Sequence, residues 1–131
     1  MTYQELKQKQ REELDRFEGI FFAFNNEQFK EGMEKVGLQV TETSKIYRLA
    51  GGGFILKDRS QAFKTMFENH AAEMKKLKQD RKEQLAALTY ELQNHEYIIT
   101  GDIHPALEAL GWTVADVDQD ILKQAKNAAM A

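Results

Sequence analysis

From Ser60 to Leu92 apolar side chains recur at steps of three and four: Phe63, Met66, Phe67, Met74, Leu77, Leu85, Leu88 and Leu92. His70 sits inside this stripe, and Arg81 stands where it lapses. Such spacing keeps side chains on one side of a helix. It predicts one long helix, or two forming a helical hairpin near Gln79 to Lys82. That segment offers neither Gly nor Pro to turn on, which favours a continuous helix. The stripe is the expected spine of the core, with Phe67, Met74 and Leu88 all buried. It is long enough to bury itself within one chain or to pair with a second copy in a homodimer.

The remaining pattern is shorter in range. Thr2 with Glu5 reads as a capping box opening a first helix, whose apolar face carries Tyr3, Leu6, Leu14 and Phe17 up to Gly19. Ile20 to Phe24 is a short apolar run, suited to a buried strand. Asn25 and Gln28 open a second helix with Phe29, Met33 and Val36 on one face, and Gly37 closes it. Lys45–Leu49 and Phe54–Lys57 flank Ala50-Gly51-Gly52-Gly53, a β-hairpin expected to lie on the long helix, with Ile20–Phe24 available as a third strand. Asp58 or Ser60 starts the long helix. Asp102 and Pro105 mark the start of a short helix through Leu110, closed by Gly111 with Trp112 folded back on it. Thr113 and Asp116 announce another start, and Val117, Ile121, Ala125 and Ala128 define the inward face of a last helix. The expected class is α+β, mainly α: a central long helix (or helical hairpin), a small antiparallel β-hairpin and short C-terminal helices. One domain over residues 1–131 is expected.

Composition narrows the chemistry. The chain has 131 residues, 42% of them hydrophobic and 30% charged, with one proline, which suits a helix-rich domain with a real core. It has no cysteine, excluding disulfides, thiolate zinc sites and a cysteine nucleophile. The polar start Met-Thr-Tyr-Gln-Glu-Leu-Lys lacks the apolar centre of a signal peptide, and no apolar run approaches a membrane span, so a cytoplasmic protein is expected. Net charge is −3 and uneven: from Glu96 onward six acidic residues face only Lys123 and Lys126. An acidic C-terminal third repels phosphate backbones, which argues against nucleic acid as a partner.

Candidate sites are few. His95, Glu96, Asp102 and His104 gather the only metal-type ligands or acid–base pair, but a zincin helix needs a second histidine at position 99, where Ile99 stands. The structural reading outweighs the catalytic one: Asp102 caps a helix, His104 precedes proline on the surface, and His95 hydrogen-bonds near a helix end. His70, between Phe67 and Met74, reads as a half-buried histidine bonded to a neighbour. Gly51-Gly52-Gly53 leads into Phe54-Ile55-Leu56 rather than the Gly-Lys-Ser/Thr of a phosphate loop, so a turn is favoured; the third glycine leaves room for close approach by a partner's backbone. Lys75, Lys76, Lys78, Arg81 and Lys82 form a basic run interleaved with Asp80 and lacking aromatics that stack on bases. Trp112 is the hot-spot candidate of the C-terminal region. The partner-binding candidates are therefore Gly52, Gly53, Lys78, Arg81 and Trp112. No catalytic residue, metal or cofactor is expected.

Several phrases share one resemblance: the opening Met1-Thr-Tyr-Gln-Glu-Leu-Lys, Phe22-Ala-Phe-Asn-Asn-Glu-Gln-Phe, Lys45-Ile-Tyr-Arg-Leu-Ala-Gly-Gly-Gly-Phe-Ile, Tyr90-Glu-Leu-Gln-Asn-His-Glu-Tyr, Thr100-Gly-Asp and Ala109-Leu-Gly-Trp-Thr. In this order they resemble a family of small uncharacterised proteins of gut bacteria, their phages and conjugative elements. The resemblance implies a setting rather than a mechanism: a non-enzymatic protein that binds a host or phage protein, anti-CRISPR and other anti-defence proteins included. Two alternatives come from other classes. One is a hydrolase or metal-dependent enzyme built on His95, Glu96, Asp102 and His104; the other is a nucleic-acid accessory module using the basic helix.

Overall fold

The computed structural model describes residues 1–131, in the order α1 (Tyr3–Asp15), β1 (Ile20–Phe22), α2 (Asn26–Lys35), β2 (Ile46–Leu49), β3 (Gly53–Leu56), α3 (Ser60–Lys78), α4 (Arg81–Asn94), α5 (Tyr97–Thr100), α6 (His104–Leu110) and α7 (Gln119–Met130). The class is α+β and mainly α, with one small antiparallel sheet. The chain forms two compact units, residues 1–11 with 69–131, and residues 12–68.

The first unit is helical and organised on α4. Ala87, Leu88 and Leu92 are fully buried there, with α6 and α7 packed against them through Leu107, Leu110, Ile121, Leu122 and Ala125. Tyr3 and Leu6 of α1 join the same core. Thr2 and Glu5 form the expected capping box, the Glu5 N–H donating to Thr2 Oγ1 and the Thr2 N–H to Glu5 Oε1. Gly111 adopts φ +71°, and the Trp112 N–H reaches back to the Leu107 carbonyl, closing α6 as its sequence predicts. The inward face of α7 uses Ala129 in place of Ala128.

The continuous helix expected through residues 79–82 is not formed. Gln79 and Asp80 separate α3 from α4 because the Asp80 carboxylate accepts from the Lys82 and Glu83 N–H groups, a start signal that needs neither Gly nor Pro. Gln84 fastens the break: its buried side chain donates to the Lys78 carbonyl at 2.9 Å and accepts from the Asp118 N–H at 3.0 Å. The expected spine is corrected with it. Leu88 is buried and Met74 half-buried, but Phe67 is 45% exposed, and α3 buries only His70 and Leu77. The seam of residues 63–92 is two seams, and α4 carries the helical core.

The second unit holds a three-stranded sheet in the order β1-β3-β2, with Phe21 opposite Phe54 and Tyr47 opposite Ile55. The hairpin was expected on the long helix. Instead α2 covers this sheet: Phe21 stacks on Phe54 at 5.2 Å, and Phe29 of α2 meets both edge-on. A glycine permits this approach. A Cβ on Gly32 would lie 2.1 Å from the Phe21 ring, so no larger residue fits. Asn25 caps α2 by accepting from the Gln28 N–H at 2.8 Å.

Candidate interaction cleft

The open cleft of the sheet unit has a volume of about 990 Å³. It is lined by Leu14 at the end of α1, Phe17 in the connection that follows, Phe63 and Phe67 at the start of α3, the α2 surface around Gly32, and β1. All eight phenylalanines of the chain lie between Phe17 and Phe67, and only Phe21 is buried. Phe22 is 61% and Phe24 76% exposed. Phe17, Phe63 and Phe67 form an edge-on series, with centroids 5.2 and 4.7 Å apart, and the Arg59 guanidinium lies over Phe17. Three ionisable residues line the cleft, Asp15, Glu31 and Lys35, and none of them is in an ion pair.

The glycine run belongs to this cleft's architecture. Gly51 and Gly52 adopt φ +74° and +81°, as the turn requires. A Cβ on Gly52 would meet the Phe24 ring at 2.5 Å, and one on Gly53 the Phe22 ring at 3.0 Å. The close approach that a third glycine allows is therefore made by this chain's own phenylalanines.

The other candidate residues lie in the helical unit and are largely engaged. Lys78 is 3.6 Å from Asp116, and Arg81 donates to Asp118 at 3.0 Å. Both aspartates are held below the usual carboxylate range. For Asp116 the Thr113 backbone N–H is the main cause and Lys78 a smaller one; for Asp118 it is the Ile121 N–H, then Arg81. The acidic C-terminal segment thus meets part of the basic run within the chain. Trp112 is 4% exposed, so its ring packs in the core rather than on a partner-facing surface, and its indole N–H has no hydrogen-bond partner.

His95, Glu96, Asp102 and His104 are not gathered into one site. No three of them place ligand atoms within 4.8 Å of one another. Asp102 pairs with His104, whose N–H and ring Nδ1 lie 3.0 and 2.9 Å from the same carboxylate oxygen; these contacts hold the Asp102 carboxyl low. His95 ends α4, and its Nε2 stands 3.8 Å from Glu91. Glu96 adopts φ 58°, the one non-glycine residue in the left-handed region, and turns the chain into α5.

Glu91 itself is 1% exposed. Its carboxylate accepts from Lys7 Nζ at 2.8 Å and from the Tyr3 hydroxyl. Burial first, and the Glu91 charge second, push the Tyr3 phenol above its ordinary value. The Lys7 ammonium also lies over the Tyr90 ring, 4.7 Å from its centroid. This network satisfies a buried charge and joins α1 to α4.

Neither the cleft nor the buried carboxylate was apparent from spacing. A usable signal did exist for the cleft: the confinement of every phenylalanine to about fifty residues. Comparison with known proteins adds a family and no activity. Residues 2–131 match the pattern of a family of unknown function, DUF7659, and the chain belongs to that family. No curated protein and no solved structure matches the chain.

Proposed function

Taking that membership as the premise, we propose that the protein is a non-enzymatic interaction protein that recognises a partner protein through its phenylalanine-lined cleft. One observation carries this reading: five of the eight phenylalanines, Phe17, Phe22, Phe24, Phe63 and Phe67, remain partly or wholly exposed along a single open cleft. Large aromatic side chains left in water are costly, and contiguous apolar surface of this kind marks interaction sites. Aromatic anchors surrounded by polar rims supply most of the energy in protein interfaces. The separation of the Glu91–His95 and Asp102–His104 pairs further favours binding over chemistry.

The resemblance to proteins of gut bacteria, phages and conjugative elements directs the proposal to a host protein, proteins of host defence among them. The test is quantitative retention of host proteins on the immobilised full chain, compared with Phe24→Asp. Phe24 is 76% exposed and its ring lies against Gly52 of the hairpin, so the variant is expected to fold, which circular dichroism checks. Saturable retention of one protein, lost in the variant, is expected. Equal retention by both chains contradicts the reading.

A further inference from the structure

We infer that the cleft receives its partner as an added β-strand: an extended segment with large apolar side chains at alternate positions and a basic residue beside them, pairing with the outer edge of β1. The inference rests on the interaction reading above and specifies the partner's conformation.

The hydrogen-bond ladder carries it. The Leu56 N–H donates to the Gly19 carbonyl at 2.9 Å, and the Ala23 N–H to the Gly52 carbonyl at 3.0 Å. Backbone groups alternate sides along an antiparallel strand, so residues 19, 21 and 23 face β3, and Ile20 and Phe22 face the other way. β1 is the edge of the sheet and pairs with β3 alone. The N–H and C=O groups of Ile20 and Phe22 take no hydrogen bond from the rest of the chain. They open into the cleft, which both residues line.

Unpaired strand edges are templates for another chain, and proteins ordinarily cover, shorten or charge them. This one is short, pairs with no further strand and carries no charge of its own, and the cleft it lines also holds apolar surface from Leu14, Phe17, Phe63 and Phe67. In strand addition the main-chain bonds hold the peptide, and pockets on either side read alternate side chains. Two carboxylates, Asp15 and Glu31, face the cleft against the single Lys35, which favours a segment carrying Lys or Arg.

The experiment uses the full chain and a panel of acetylated octapeptides in which valine, leucine or phenylalanine alternates with threonine, each with one terminal lysine. Amide hydrogen exchange is read residue by residue. At least one peptide is expected to slow exchange at both Ile20 and Phe22 by about tenfold or more, with Phe21 and Phe54 unchanged. Ile20→Pro removes one outward N–H and is expected to weaken that peptide about tenfold or more, whereas Ile20→Val retains it. If Ile20→Pro does not fold, the exchange pattern alone decides. Binding that leaves Ile20 and Phe22 unprotected overturns strand addition and leaves the interaction reading standing. So does failure of the whole panel while Phe24-dependent retention of a host protein persists. Protection of these amides by dimerisation, seen by light scattering without peptide, replaces the partner strand with a second copy and also overturns the proposal.

Discussion

The two units bury their apolar residues very differently. Fifteen buried hydrophobic residues form one cluster in the helical unit; residues 12–68 fully bury only Phe21, Met33 and Ile55. The helical unit also settles its two buried polar side chains of α4, with Glu91 held by Lys7 and Tyr3, and Gln84 by two backbone groups. The sheet unit leaves aromatic rings and strand-edge amides open. Apolar surface left over in one part of a chain whose other part is well packed points to use rather than to poor folding.

Mutations can break this contrast at its deepest point first. Leu88→Ala empties a fully buried position of α4 and is expected to cost about 3 kcal/mol, read from the urea midpoint. A cost as small as that of an exposed site would mean that α4 is not the core. Lys7→Met leaves the buried Glu91 carboxylate without its ammonium and is expected to cost about 2–3 kcal/mol. Gly32→Ala tests the sheet unit's tightest glycine contact: its methyl would overlap the Phe21 ring, and a loss of about 2 kcal/mol is expected in the same measurement. Asp80→Ala removes the cap that starts α4 and is expected to cost about 1 kcal/mol, with a small loss of helical circular dichroism.

The smallest effect is electrostatic. The Asp118 carboxyl is lowered in the folded chain, chiefly by the Ile121 N–H and then by Arg81. A group lowered on folding stabilises at pH above its unfolded value, near 4 for a free aspartate, and that contribution fades as pH falls through the folded value. Stability is therefore expected to decline on acidification below about pH 5, with a shallower decline in Asp118→Asn. An unchanged slope in the variant would remove Asp118 from the account.

Much of the local architecture was legible because it is written in neighbouring residues. The Thr2–Glu5 and Asn25–Gln28 caps, the glycine hairpin and the Gly111 closure each depend on residues within a few positions. The break at Asp80 was hidden because an N-cap aspartate inside a run of lysines resembles any other surface charge. Glu91 was unreadable for a different reason: its ammonium partner, Lys7, lies 84 positions away. Spacing also could not distinguish which phenylalanines face one another and which face water. Phe67 sits on the same helical stripe as Leu77, yet the first is exposed and the second buried.

The central claim is that the helical core is closed while the outer edge of β1 stands open. Amide exchange of the free monomer tests it most directly. Ile20 and Phe22 are predicted to exchange about tenfold or more faster than Phe21 and Ala23 in the same strand, and Leu88 and Leu92 to be among the slowest amides. Slow exchange at Ile20 and Phe22 in the unbound monomer would show the edge already paired and contradict the account.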